Sequence, residues 1–256
     1  MIWISLAGCG VFDPFEKVKD DLEGLTNPVV ALGWVVGVEA PSQPELAPLV
    51  ASGALVPGTA FNLFVGDATD ADQLDESGID GAQVLLDAGA ESAEAAPQGD
   101  GLYAIEPGPD SPPYDAGASW VATIDLGDAE AHALTFALPP AADLTIDPMH
   151  AAGTPISLDL TGQDFHAALV VVLDVVSGDP TYSNEPTSAE EVFELLQSRE
   201  PLTTATIPGE AFPGPGTYAI GIAGMRRGED DTLEGVNTAL SRGMAGTTKF
   251  FPILVP

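Results

Sequence analysis

From Val29 onward the apolar residues of this chain come in short β-branched and aromatic runs, each cut off by Gly, Pro or Asp. That punctuation constrains the fold more than anything else in the sequence. Short apolar runs bounded by turn formers have the length of strands and not of packed helices. With 28 Gly and 23 Pro among 256 residues, turn chemistry is available between almost every pair of runs. Charged residues are 18% of the chain and apolar residues 45%, so there is material for hydrophobic cores and the sequence is not a disordered acidic tail. The expectation is an all-β protein.

The runs fall into two series. The first comprises Val29-Val38, Ala54-Val56, Phe61-Gly66, Ala82-Leu86, Leu102-Ile105, Ser119-Ile124 and Ala133-Leu138. It stops at Pro139-Pro140, which cannot donate into a ladder and therefore reads as an interdomain joint. The second comprises Leu144-Ile146, Ile156-Leu160, Ala168-Val175, Leu202-Ile207, Thr217-Met225 and Thr248-Val255. Within it, Ala168-Leu173 is apolar at every position, the mark of a strand covered on both faces. Ser188-Ala189-Glu190-Glu191 forms a capping box leading into Val192, Phe193, Leu195 and Leu196, which predicts a short inserted helix. Gly228-Gly246 has helical spacing at Leu233, Val236, Leu240 and Met244, but Gly235 and Gly243 interrupt it, so a long loop with at most a helical turn is expected.

Ahead of the first strand, Asp13-Pro14-Phe15-Glu16 is a helix start, with Phe12, Phe15, Val18, Leu22 and Leu25 on one face. The polar face carries more acid than base, which favours packing on the first domain over lying on a membrane. Further upstream, Leu6-Ala7-Gly8-Cys9 holds the only cysteine of the chain and resembles the lipobox of bacterial lipoproteins. The resemblance implies cleavage before Cys9, a diacylglycerol on its thiol and tethering to the cell envelope, at the outer membrane or cell surface. Met1-Ser5 is shorter than a full signal peptide. The predicted organisation is a truncated lipoprotein signal and lipobox over 1–9, a helical tether over 10–28, and β-sandwiches over 29–138 and 139–256.

Three stretches within the first sandwich carry a second resemblance: Gly81-Ala82-Gln83-Val84, Gly99-Asp100-Gly101-Leu102-Tyr103 and Tyr114-Asp115-Ala116-Gly117. They are similar to the carboxypeptidase-regulatory (transthyretin-like) and Cna-B types of β-sandwich, in which glycines permit tight turns and a Tyr opens a core-facing alternation. The second series resembles an Ig-like or fibronectin-like sandwich in its strand count.

The balance of 39 Asp and Glu against 7 Lys and Arg, a formal charge of -32, excludes nucleic acid as a direct partner, because phosphates must be neutralised by basic side chains. Divalent cation binding and solubility at high salt are the two uses such acidity leaves. Asp67, Asp70, Asp72, Asp75, Glu76 and Asp80 are the densest set of hard oxygen ligands and the candidate calcium site. They do not follow the EF-hand register, since Gly81 stands where the closing Glu is required. No other cofactor is expected. His132, His150 and His166 have no metal-ligand spacing. Gly-x-Ser-x-Gly is absent, Gly214-Pro215-Gly216 opens a strand and not a nucleotide-binding helix, and Trp34 and Trp120 suit a core better than a sugar-stacking surface.

These readings point to a lipid-anchored envelope protein acting as a non-catalytic binding or structural module with a protein or glycan ligand. A calcium-dependent adhesion or protein-interaction module is one alternative. A carbohydrate-active or other hydrolytic enzyme with an unrecognised site is another. An envelope-machine subunit would be marked by an exposed apolar patch near Gly228-Gly246.

Overall fold

The computed structural model describes residues 27–69, 77–89, 91–128, 130–186, 195–196, 198–228 and 233–256. The protein is all-β. Its strands are β1 (Val29–Val38), β2 (Gly58–Asp67), β3 (Gln83–Asp87), β4 (Ser92–Glu94), β5 (Ala96–Gly99), β6 (Leu102–Ile105), β7 (Ser119–Asp125), β8 (His132–Ala137), β9 (Ile156–Asp159), β10 (Ala167–Asp174), β11 (Pro180–Ser183), β12 (Thr204–Ile207), β13 (Gly216–Arg227), β14 (Leu233–Glu234) and β15 (Arg242–Val255), and one short helix, α1 (Ala47–Ser52), follows β1.

Eight strands form one large sheet in the order β11-β10-β13-β15-β1-β2-β6-β5. A five-stranded sheet, β14-β8-β7-β3-β4, and a two-stranded one, β12-β9, complete the fold. Both smaller sheets cover the same face of the large one, as β15 shows. Its odd-numbered Ala245 packs with Val84, Trp120, Leu134 and Phe136 of the five-stranded sheet. Its odd-numbered Ile253 and Val255 pack with Leu158 and Ile207 of the two-stranded sheet. The opposite face is covered more sparsely, by Leu46, Leu49 and Leu55 around α1 and by Leu196 and Leu240.

Two β-sandwiches are therefore present, but they share a sheet. The division into 29–138 and 139–256 follows the chain, whereas the hydrogen bonding crosses it: β15 lies parallel to β1, from Leu32↔Arg242 to Val38↔Thr248, and β14 pairs with β8. Pro139-Pro140 is correspondingly not a free linker. The Pro139 carbonyl, in a buried residue, accepts hydrogen bonds from Tyr114 Oη at 2.9 Å and Thr247 Oγ1 at 3.0 Å. The Tyr114 ring reaches that position because β1 has Gly37 beneath it, where a Cβ would lie 2.3 Å from Tyr114 Cγ.

The expected loop over Gly228-Gly246 contains β14 and the first turns of pairing in β15, a correction whose cause is steric. Gly33 and Gly243 are cross-strand partners, and Phe136 rests on both. A Cβ on Gly243 would stand 2.9 Å from Phe136 Cε1. Glycine in this strand admits the aromatic ring of the facing sheet, a close approach of the kind that places glycine inside a strand. Val236, Leu240 and Met244 are buried, so this stretch forms no exposed apolar patch among the described residues.

Ala54-Val56 and Leu144-Ile146 are irregular and do not pair as strands. The first follows α1, which ends at a left-handed Gly53 with φ 75°; Leu55 then packs inward as a helix-side anchor. β10 is buried along its length as expected, with Val170 and Val172 on one face and Leu169 and Val171 on the other. Leu195 and Leu196 are helical. The rest of the inserted helix and the whole N-terminal helix lie outside the described residues.

Candidate functional site: a trough across the large sheet

Alternation in β13 sets up the site. On the sealed face stand Tyr218, Ile220 and Ile222; on the other face stand Ala219, Gly221 and Ala223. β2 repeats the arrangement, with Phe61, Leu63 and Val65 inward and Ala60 and Asn62 outward. Small outward residues on these strands leave a depression, into whose floor Leu169, Val171 and Phe250 of the neighbouring strands also face. Leu169, Ala223, Thr248 and Val38 are successive cross-strand partners on β10, β13, β15 and β1. Val36 pairs with Ala60 on β2, and Asn62 with Ala104 on β6. Together they floor a trough of about 610 Å³. Crossing from β10 to β6 takes five inter-strand steps of ~4.8 Å, so the trough is on the order of 24 Å across.

Its walls come from irregular segments. Ala54, Leu55 and Val56 close one side, and Asp100, Glu106 and Pro107 at the ends of β6 close another. Glu185 stands at the β10 edge. It is placed there by Asn184, whose carboxamide continues the pairing of β11 onto β10: Nδ2 donates to Ala168 O at 2.9 Å, and Oδ1 accepts from the Val170 N–H. Burial raises the Glu185 carboxyl above the ordinary glutamate range. Among the described residues that carboxyl has no hydrogen-bond or ion-pair partner. Among the described residues no Lys, Arg or His lines the trough.

The residues singled out from sequence lie elsewhere. Cys9 and four members of the acidic set, Asp70, Asp72, Asp75 and Glu76, lie outside the described residues. Asp67 and Asp80 flank the stretch they occupy, and each has an oxygen engaged locally: Asp67 Oδ1 accepts from the Thr69 N–H at 2.8 Å, and Asp80 Oδ1 from the Gly101 N–H at 2.9 Å. Among the described residues no three His, Cys, Asp or Glu are grouped to hold a metal. His132 is buried, with Nδ1 on Gly235 O and Nε2 3.4 Å from Asp128 Oδ2. His150 bonds Thr154, and His166 Nδ1 accepts from the Arg227 N–H. Trp34 and Trp120 are core residues, 2% and 1% exposed. A second cavity, about 570 Å³, lies against Asp143, Asp147, His150 and Asp159. Two of its acids brace their own turns: Asp159 accepts from the Thr161 N–H, which lowers its carboxyl below the usual range, and Asp147 accepts from the Met149 N–H. Among the described residues no helix is long and apolar enough to cross a membrane.

No protein-family profile and no curated protein matches the chain. Among solved structures it is similar to a two-domain fibronectin type-III segment of chicken tenascin, at 7% identity over 78% of this chain and 94% of that one, with a TM-score of 0.27. It is similar to the FN1-FN3 domains of chicken CNTN1, at 9% identity over 86% of this chain and 65% of that one, with a TM-score of 0.24. A third likeness is to the BSP domain of a biofilm-associated protein, at 11% identity over 73% of this chain and 27% of that one, with a TM-score of 0.24. The all-β class and the sandwich layering rest on the sheets themselves.

Proposed function

We propose that the chain is a non-catalytic binding module of the bacterial cell envelope, tethered by lipid at Cys9, which holds its ligand in the trough of the large sheet. The trough is the observation that carries this reading. It is open, floored by apolar side chains, and has a few polar groups at its edges, the make-up of a small-molecule site. Leu6-Ala7-Gly8 directly ahead of Cys9 supports the tether.

The test of binding is a neutral solvatochromic dye, Nile red, titrated into the protein. Saturable, blue-shifted fluorescence that Ala104→Trp suppresses without lowering the urea midpoint is the expected result, since Trp at this half-buried floor position fills the depression. Absence of a saturable signal, or one indifferent to Ala104→Trp and to a second filling variant, Ala60→Phe, removes the trough as the site. The tether is tested separately by palmitate labelling of cells expressing the wild type and Cys9→Ser from the native upstream region. Label that survives the substitution, or no label at all, overturns the lipid anchor.

A further inference from the structure

We propose that the trough takes an organic cation with an apolar body, an amine or quaternary ammonium on a hydrocarbon or aromatic frame. This rests on the trough being a ligand site and specifies what fits it. The argument is one of charge complementarity. The floor offers apolar contact from Val36, Leu169, Val171 and Phe250, which selects for a hydrocarbon or ring. The rim offers Asp100, Glu106 and Glu185 and, among the described residues, no basic side chain.

The nearest cations in sequence are turned elsewhere. Lys249 lies between Thr248 and Phe250 on β15 and so projects from the opposite face, with Nζ 5.4 Å from the Phe251 ring centroid. Arg226 is occupied on that same face, donating to Gln163 O at 2.9 Å and stacking on Phe165. An anionic amphiphile would therefore meet an acidic rim at either end of the trough with no counter-charge among the described residues, inside a chain whose formal charge is already -32.

A neutral ligand fits the floor but deepens the desolvation of Glu185, whose carboxylate has no partner among the described residues. An ammonium group supplies that partner as a charge-assisted hydrogen bond or close ion pair, and it does so where water is partly excluded and the interaction is correspondingly stronger. Of the three classes, the cation alone satisfies both the floor and the rim.

The experiment compares three probes with the same body and different heads, 4-phenylbutylamine, 4-phenylbutanol and 4-phenylbutyrate, each displacing Nile red at 0.15 M and 0.5 M NaCl. The amine is expected to bind at least tenfold more tightly than the butyrate at both salt concentrations. Glu185→Gln should reduce amine affinity about tenfold and leave the alcohol bound at least as tightly, since the amide carries no charge for a neutral ligand to desolvate. Glu94→Gln, an exposed acid on β4 in the other sheet, controls for general attraction to the acidic surface and should change neither. Three probes of equal affinity, or an amine preference that Glu185→Gln leaves intact, overturn the cation while the trough stands as a binding site. Failure of Nile red itself to bind removes both.

Discussion

The two faces of the large sheet are made by the same strands and end in opposite condition. The face toward the smaller sheets is sealed by large rings and branched chains: Phe61 and Phe136 meet edge to face at 6.0 Å, and Phe212 meets Tyr218 likewise at 5.6 Å. The other face carries Ala60, Gly221, Ala223 and Thr248 at the corresponding places, beneath one short helix and irregular segments. In β13 and β2, alternation along the trough puts the bulky residues on one side and Ala60, Asn62, Ala219, Gly221 and Ala223 on the other. The bulky side is the fold; the small side is the depression proposed as the ligand site. On the proposed reading, function depends on what the second face lacks.

Truncation at matched depth gives the sharpest contrast. Phe136→Ala should cost about 3–5 kcal/mol, because Gly33 and Gly243 beneath the ring have no side chains to relax into the cavity. Leu169→Ala, on the trough side at 8% exposure, should cost about 2 kcal/mol, the lower end for such a change, since water already reaches its surroundings. Urea unfolding of both variants measures the difference. Equal losses would mean that the two faces are packed alike and that the trough is a poorly filled core.

A smaller effect probes the seam between the halves. Tyr114→Phe or Thr247→Val alone leaves the Pro139 carbonyl one donor; the double variant leaves it none. The double loss should exceed the sum of the singles by about 1 kcal/mol, the cost of a buried acceptor without a partner. Alkaline pH should expose the same seam. Burial raises the Tyr114 phenol above its ordinary value of 10.0, so the unfolded chain loses that proton first as pH climbs past it, and stability falls with rising pH from there. Tyr103 is raised too, chiefly by burial, so Tyr114→Phe should flatten the decline between pH 9 and 11.5 without abolishing it. An unaltered slope would show that Tyr114 is not held as described.

What the sequence discloses follows from the range of the interactions involved. β1, β6 and most of β10 and β13 are readable because short apolar runs and the turn residues that bound them are local signals. The start of β15 is misread as loop because Gly243 looks like a breaker until Phe136 is seen to need the space. The shared sheet is hidden because β1 and β15 are more than 200 residues apart and a Pro-Pro step between them resembles a boundary. The trough is hidden for a related reason. Ala219, Gly221 and Ala223 alternating with Tyr218, Ile220 and Ile222 is visible in the sequence, but only the register of β10, β15, β1 and β2 aligns their small residues into one depression. The acidic stretch from Asp67 to Asp80 drew notice by composition, whereas Glu185, an ordinary glutamate in the sequence, owes its character to the wall on which Asn184 sets it.

The smallest expected effect isolates that character. The Glu185 carboxyl is raised by desolvation alone, so as pH rises the unfolded chain ionises this group before the folded chain does. Its contribution to stability is full below the ordinary glutamate value and is lost as pH climbs through the raised one. At pH 7 the carboxylate is therefore a burden on the empty protein, and Glu185→Gln should raise stability by under about 1 kcal/mol, a modest figure because the group is partly in solvent. Below about pH 4 both side chains are neutral and the difference should vanish. Urea midpoints of the two proteins at pH 7 and pH 3.5 measure it. With saturating 4-phenylbutylamine the order at pH 7 should invert, since the ammonium stabilises the ionised carboxyl and has no equivalent partner in the amide. A Glu185→Gln variant less stable than the parent at pH 7 without ligand would mean that the carboxylate is already satisfied, and the trough's open face would lose the feature that sets it apart from the sealed one.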